Sequence, residues 1–85
     1  MDKSKINLLV VDDERGLCAG VQEALRREGY AVDAANDART ALERMRTRLY
    51  NLVVTDMRMP DMSGLQLLQE ARQRNRDTQF ILMTA

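Results

Sequence analysis

Histidine and tryptophan are absent from this chain, and cysteine and proline occur once each. Without histidine there is no serine–histidine or cysteine–histidine catalysis, and a zinc site loses its usual nitrogen ligand. One cysteine, Cys18, excludes an internal disulfide and fits a reducing compartment. It lies beside Leu17 and near Val21 in a helical pattern, the setting of a small core residue rather than a reactive thiol. Net charge is missing as well, because thirteen basic residues balance thirteen acidic ones. A general nucleic-acid binder needs a basic excess or stripe. The eight arginines from Arg39 to Arg76 are interleaved with acids and read as a solvated mixed-charge surface, with no direct nucleic-acid contact expected. Long apolar runs are lacking too. The stretch Leu8 to Val11 is too short for a signal-peptide core or a membrane span, so the expected compartment is the cytoplasm.

What is present is a regular alternation within 85 residues, enough for one small domain with a thin margin of stability. Ile6 to Val11 is a nearly continuous apolar run, as expected for a strand covered on both faces. After Asp12-Asp13-Glu14, the residues Leu17, Cys18, Val21, Ala24 and Leu25 recur at helical spacing. This predicts a helix from Glu14 to about Arg27, with Asp13 as its cap and Gly29 as its stop. Tyr30 to Ala34 reads as a strand at a sheet edge, with Tyr30, Val32 and Ala34 on one face. Asn36 or Asp37 then caps a second helix with Ala38, Ala41, Leu42, Met45 and Leu49 inward. A third strand covers Leu52 to Asp56. Ser63, with Gln66 three residues on, has the form of a capping box opening a third helix. Leu65, Leu68 and Ala71 are its expected core face, with Leu67 at the margin. Gln79 to Met83 forms a fourth strand ending on Thr84. The order β-α-β-α-β-α-β means a parallel sheet with right-handed crossovers.

Polar residues gather at the carboxyl ends of these strands, where open α/β sheets bind their ligands. The first strand delivers Asp12 and Asp13, the third Asp56, the fourth Thr84. If the first and third strands are neighbours, three carboxylates converge, and each raises the others' pKa unless a cation compensates. An all-oxygen, water-accessible donor set favours Mg²⁺ over zinc or a soft metal. Such a site suits phosphoryl chemistry with an aspartate nucleophile, because the metal offsets the charge of both carboxylate and phosphoryl group. Asp56, alone on its strand end, is the candidate nucleophile, and Asp12 and Asp13 the candidate metal ligands. Taken singly, Asp13 also reads as a helix cap and Asp56 as a loop polar residue. Their arrangement on two strand ends is what favours a site.

Three segments carry a resemblance: Leu8-Leu9-Val10-Val11-Asp12-Asp13-Glu14, then Val53-Val54-Thr55-Asp56-Met57-Arg58-Met59-Pro60-Asp61-Met62-Ser63-Gly64, then Ile81-Leu82-Met83-Thr84-Ala85. Together they resemble the receiver domain of two-component response regulators. The loop wording is most similar to receivers of the nitrogen-regulation type, which precede ATPase activators of transcription. The resemblance implies a flavodoxin-like α/β fold with strand order 2-1-3-4, the doubly wound arrangement in which ligands sit at the switch point. It implies Asp56 as acceptor of a phosphoryl group from a sensor histidine kinase. It implies Mg²⁺ held by Asp12, Asp13, Asp56 and the backbone carbonyl of Arg58. Thr84 corresponds to a switch hydroxyl that bonds the phosphoryl oxygen, and Ala85 to the small residue beside it. Pro60 and Gly64 shape the loop, Pro60 by fixing φ and Gly64 by allowing close backbone approach.

A complete receiver continues past this point with a fourth helix, a fifth strand bearing a lysine, and a fifth helix. Residues 1–85 are therefore expected to be a partial receiver, without that lysine, the switch aromatic or the usual output face. A second reading follows: a phosphorylation-incompetent module that oligomerises or swaps through the uncovered apolar strand 79–84. A metal-dependent phosphatase ranks lower. It would want an acid two residues after the nucleophile, where Arg58 stands.

Overall fold

The structure, a computed structural model, describes residues 2–83. After a 3₁₀ turn at Lys3–Lys5 come β1 (Asn7–Val11), α1 (Arg15–Arg27), β2 (Ala31–Ala35), α2 (Ala38–Thr47), β3 (Leu52–Asp56), α3 (Gly64–Arg72) and β4 (Gln79–Met83). All neighbouring strands are parallel, in the order β2-β1-β3-β4. The expected α/β fold is present, and β2 lies at an edge as its polar alternation predicted. β1 is central, with Leu9 paired to Asp33 on one side and Val53 on the other.

Period-two alternation along β1 divides the core into two layers. Leu9 and Val11 face α2 and α3, in a cluster with Ala38, Ala41, Met45 and Leu67. Leu8 and Val10 face α1, in a cluster with Cys18 and Val32, against which Val21, Leu25, Tyr30 and Ala34 are packed. Full burial of each such aliphatic side chain contributes about 1.5–3 kcal/mol. Cys18 is buried among them, its thiol 3.6 Å from the Val10 carbonyl oxygen, and burial pushes the thiol pKa up. It is a core residue, as the spacing indicated.

Helix ends and helix phases bring corrections. Glu14, not Asp13, caps α1: its carboxylate accepts from the Gly16 and Leu17 N–H groups. Asp12 Oδ1 accepts from the Glu14 N–H at 2.9 Å, and this turn places Glu14 at the cap. Leu17 and Ala24 are exposed, because the inward face of α1 runs through Cys18, Val21 and Leu25. Asp37 caps α2, but Leu49 lies past its end and is 70% exposed. Arg48 is already extended there, and Tyr50 takes the buried position instead. The Tyr50 hydroxyl donates to Asp33, and burial together with that carboxylate pushes its pKa up to about 12. The capping box of α3 is complete, with Ser63 and Gln66 each accepting from the other's N–H. Its phase is turned from expectation: Leu67 is fully buried and Leu65 is 45% exposed.

Gly64 explains that phase. A Cβ there would overlap the Asp56 carbonyl oxygen and stand 3.1 Å from the Asp56 carbonyl carbon. The glycine lets α3 start directly against the end of β3, which brings Gly64, Leu67 and Ala71 to the inner face. Gly29, with φ of 103°, ends α1 in the left-handed conformation that its lack of Cβ permits. On β4, Gln79 is exposed, Phe80 half-buried and Ile81 50% exposed, so this edge strand is open on one face among the described residues.

Candidate functional site

Because β1 and β3 are adjacent and parallel, the residues after Val11 and at the end of β3 emerge on the same edge of the sheet. Asp12, Asp13 and Asp56 meet there, each offering a carboxylate oxygen within 4.8 Å of the others. Asp12 is buried, Asp56 half-buried and Asp13 exposed, so the cluster has a closed inner side and an open outer side.

Asp12 is held by three contacts. Its N–H donates to the Ala35 carbonyl at 3.1 Å, its Oδ1 accepts from the Glu14 N–H, and its carbonyl accepts from Asn36 Nδ2 at 3.0 Å. Burial pushes the Asp12 carboxyl above its ordinary value. The Glu14 N–H pulls it down, and the charges of Asp56, Asp13 and Glu14 push it further up. The ion pairs among the described residues join Lys3 to Glu28, Arg27 to Glu23 and Arg48 to Asp33, so none neutralises the cluster. Three carboxylates gathered with no ion-pair partner among the described residues form a donor set that a divalent ion would complete. The all-oxygen chemistry fits a hard cation of the Mg²⁺ type.

Asp56 closes β3. The Met57 N–H after it donates to the Met83 carbonyl at 3.0 Å, and the Gly64 N–H donates to the Met57 carbonyl at 2.9 Å. Arg58 is exposed, and its N–H lies 3.4 Å from Asp56 Oδ1. Thr84 and Ala85, singled out in the sequence, lie outside the described residues. A shallow cleft of about 460 Å³ beside the cluster is lined by Asp13, Asn36, Asp37, Arg39, Pro60, Asp61 and Met62. Another cleft, between α2 and the end of α3, is lined by Arg46 and Arg74 and none of the three aspartates.

Two contributors carry no functional signal in the sequence. Asn36 reads there as a helix cap, yet its side chain donates to the Asp12 carbonyl. Asp61 reads as part of a loop motif, yet its carboxylate accepts from the N–H groups of Ala38 at 3.3 Å and Arg39 at 3.0 Å. Neither position carries a periodicity that announces a partner more than twenty residues away.

The order β2-β1-β3-β4 defines a flavodoxin-like α/β domain, with three carboxylates gathered where β1 and β3 end. The chain belongs to the response regulator receiver domain family, which it matches over residues 8–85. It is 41% identical over 85 residues to the transcriptional regulatory protein ZraR of Escherichia coli O157:H7, covering all of this chain and 19% of that protein. The chain thus spans about a fifth of the length of that curated relative. Among solved structures it is similar to the response regulator TrrA of Thermotoga maritima in complex with Mg²⁺–BeF, with a TM-score of 0.88 and 39% identity, covering 94% of this chain and 70% of that one. It is similar also to TrrA in complex with the histidine kinase ThkA, with a TM-score of 0.86 and 39% identity, covering 94% and 69%.

Proposed function

We propose that this receiver is a phosphoacceptor of two-component signalling, in which Asp56 takes a phosphoryl group from the phosphohistidine of a sensor histidine kinase. The observation that carries the reading is the meeting of Asp12, Asp13 and Asp56 within 4.8 Å at the open edge of the sheet, with no salt bridge to any of them among the described residues. The relative TrrA, solved with Mg²⁺–BeF and also with a histidine kinase, supports it.

Asp12, Asp13, Asp56 and the Arg58 backbone carbonyl would hold Mg²⁺. When bound, that ion supplies positive charge against both the carboxylates and the transferring phosphoryl oxygens. An Asp56 carboxylate oxygen attacks the phosphorus. The nitrogen–phosphorus bond of the donor breaks, imidazole leaves with the electron pair and takes up a proton, and an aspartyl phosphate remains. Glu14 and Asn36 keep Asp12 oriented through their bonds to its side chain and carbonyl. Thr84, in this reading, donates its hydroxyl to a phosphoryl oxygen and shifts a two-state equilibrium. In the whole protein the output would be control of transcription through an ATPase or DNA-binding segment.

Incubating the chain with a small phosphodonor and Mg²⁺ tests this by intact mass. The expected result is one hydroxylamine-labile adduct, abolished by Asp56→Asn. No adduct, or one that persists in Asp56→Asn, overturns the reading.

A further inference from the structure

The start of α2 is bonded by two carboxylates, and only one belongs to its own chain segment. Asp37, the local cap, accepts from the Thr40 N–H at 2.7 Å. The preceding two N–H groups, of Ala38 and Arg39, go to Asp61 Oδ1 and Oδ2, from the loop between β3 and α3. Asp61 Oδ1 also accepts from the Met62 N–H at 3.1 Å, so both carboxylate oxygens are engaged. Burial alone would raise its pKa, but the N–H groups of Arg39, Ala38, Asp61 itself and Met62 outweigh this and hold it below the ordinary value. Asp61 is outside the acid cluster, which consists of Asp12, Asp13 and Asp56.

The junction that receives Asp61 also touches the other half of the site, because Asn36 donates to the Asp12 carbonyl. Residues 36–39 thus bond both acid-bearing segments: the end of β1 through Asn36, and the loop following Asp56 through Asp61. Between Met57 and Ser63, Asp61 is the one side chain that hydrogen-bonds, among the described residues, to an element outside the loop and its helix. Among the described residues, the Arg58 N–H has only its 3.4 Å approach to Asp56 Oδ1.

We infer that Asp61 is a positioning residue for the acid cluster: by binding the first N–H groups of α2 it fixes the loop that carries Arg58, and so sets the affinity of the cluster for a divalent cation. This rests on the phosphoacceptor reading and adds to it a physical link between α2 and the metal centre. Groups that orient the ligands of a metal typically change affinity by 10–100-fold when removed. Asp61 acts through backbone, so its loss belongs at the lower end.

The experiment compares wild type, Asp61→Ala, Asp61→Asn and Asp37→Ala by calorimetric titration with MgCl₂ and by amide hydrogen exchange. Asp61→Ala is expected to raise the Mg²⁺ dissociation constant roughly tenfold and to speed exchange across residues 57–62. Asp61→Asn keeps one accepting oxygen but turns an NH₂ toward the other donor, so it gives an intermediate loss and remains informative if the alanine variant does not fold. Asp37→Ala removes the local cap and leaves the loop bonds in place, and is expected to keep wild-type affinity and loop exchange. Wild-type affinity in both folded Asp61 variants overturns the inference alone. Equal losses in Asp37→Ala and Asp61→Ala also overturn it, since general weakening of α2 would then suffice. A wild-type chain that binds no Mg²⁺ overturns the phosphoacceptor reading and this inference with it.

Discussion

Asp12 is a carboxylate driven upward in pKa by its fold, and the direction has a consequence for stability. Burial, then the charges of Asp56, Asp13 and Glu14, make its ionised form costly in the folded state, with only the Glu14 N–H opposing them. The folded chain therefore keeps a proton at pH values where the unfolded chain, near the ordinary 3.8, has lost it. Through that window stability falls as pH rises, and above the raised pKa the full penalty is present. Asp12→Asn removes the charge and retains an Oδ1 to accept from the Glu14 N–H. In chelator near neutral pH it is expected to stabilise the chain by about 1 kcal/mol, or about 4–8 °C in Tm for a domain of this size. Thermal melts across pH check it: the advantage of Asp12→Asn over wild type shrinks as pH falls through the raised pKa and vanishes below the ordinary value. An advantage that is constant with pH, or a loss of stability at neutral pH, contradicts the account. The same substitution removes a candidate metal ligand, so stability and function oppose each other at this residue.

At the level of elements, strands were easier to read than helix faces. The boundaries of β3 and β4 agree with expectation because an apolar run ending on a polar residue leaves little choice of register. In α3 the four residues Leu65, Leu67, Leu68 and Ala71 fit two overlapping inward faces that share Ala71, one running through Leu65 and Leu68 and the other through Leu67. The choice is made outside the helix, by the contact of Gly64 with the Asp56 carbonyl, which no pattern within the helix contains. The caps show the same division. Ser63 and Gln66 are a local signature and were legible, whereas Glu14 takes the α1 cap because Asp12 bends the chain toward it. The phase of α3 is testable. Leu67→Ala empties a fully buried site and is expected to cost about 2–5 kcal/mol, enough to remove cooperative unfolding from a small domain. Leu65→Ala, at 45% exposure, is expected to cost less than about 1 kcal/mol. Urea titration of both variants distinguishes the two faces, and a reversed order would restore the face that spacing alone favoured.

For the molecule as a whole, the acid cluster was legible because alternating elements imply a parallel sheet, and a parallel sheet brings its strand ends to one edge. The adjacency of β1 and β3 came with the family resemblance. The ties from Asn36 to Asp12 and from Asp61 to α2 were not legible, since loop polar residues obey no period and their partners are distant in sequence. The resulting fold spends stability on a like-charge cluster that a divalent cation would relieve. Binding of a ligand to the folded state alone stabilises it by RT ln(1 + [L]/Kd), about 2.7 kcal/mol when the ligand is a hundredfold above its Kd. For a domain of this size that is a rise of about 10–20 °C in Tm. The phosphoacceptor reading therefore predicts that Mg²⁺ raises the Tm well above its value in chelator. NaCl of matched ionic strength screens the cluster without coordinating it, and should give only a small part of that rise. The double variant Asp12→Asn/Asp56→Asn should start higher in chelator and respond to Mg²⁺ no more than to NaCl. Equal responses of wild type to the two salts would mean that the three carboxylates repel one another without forming a metal site.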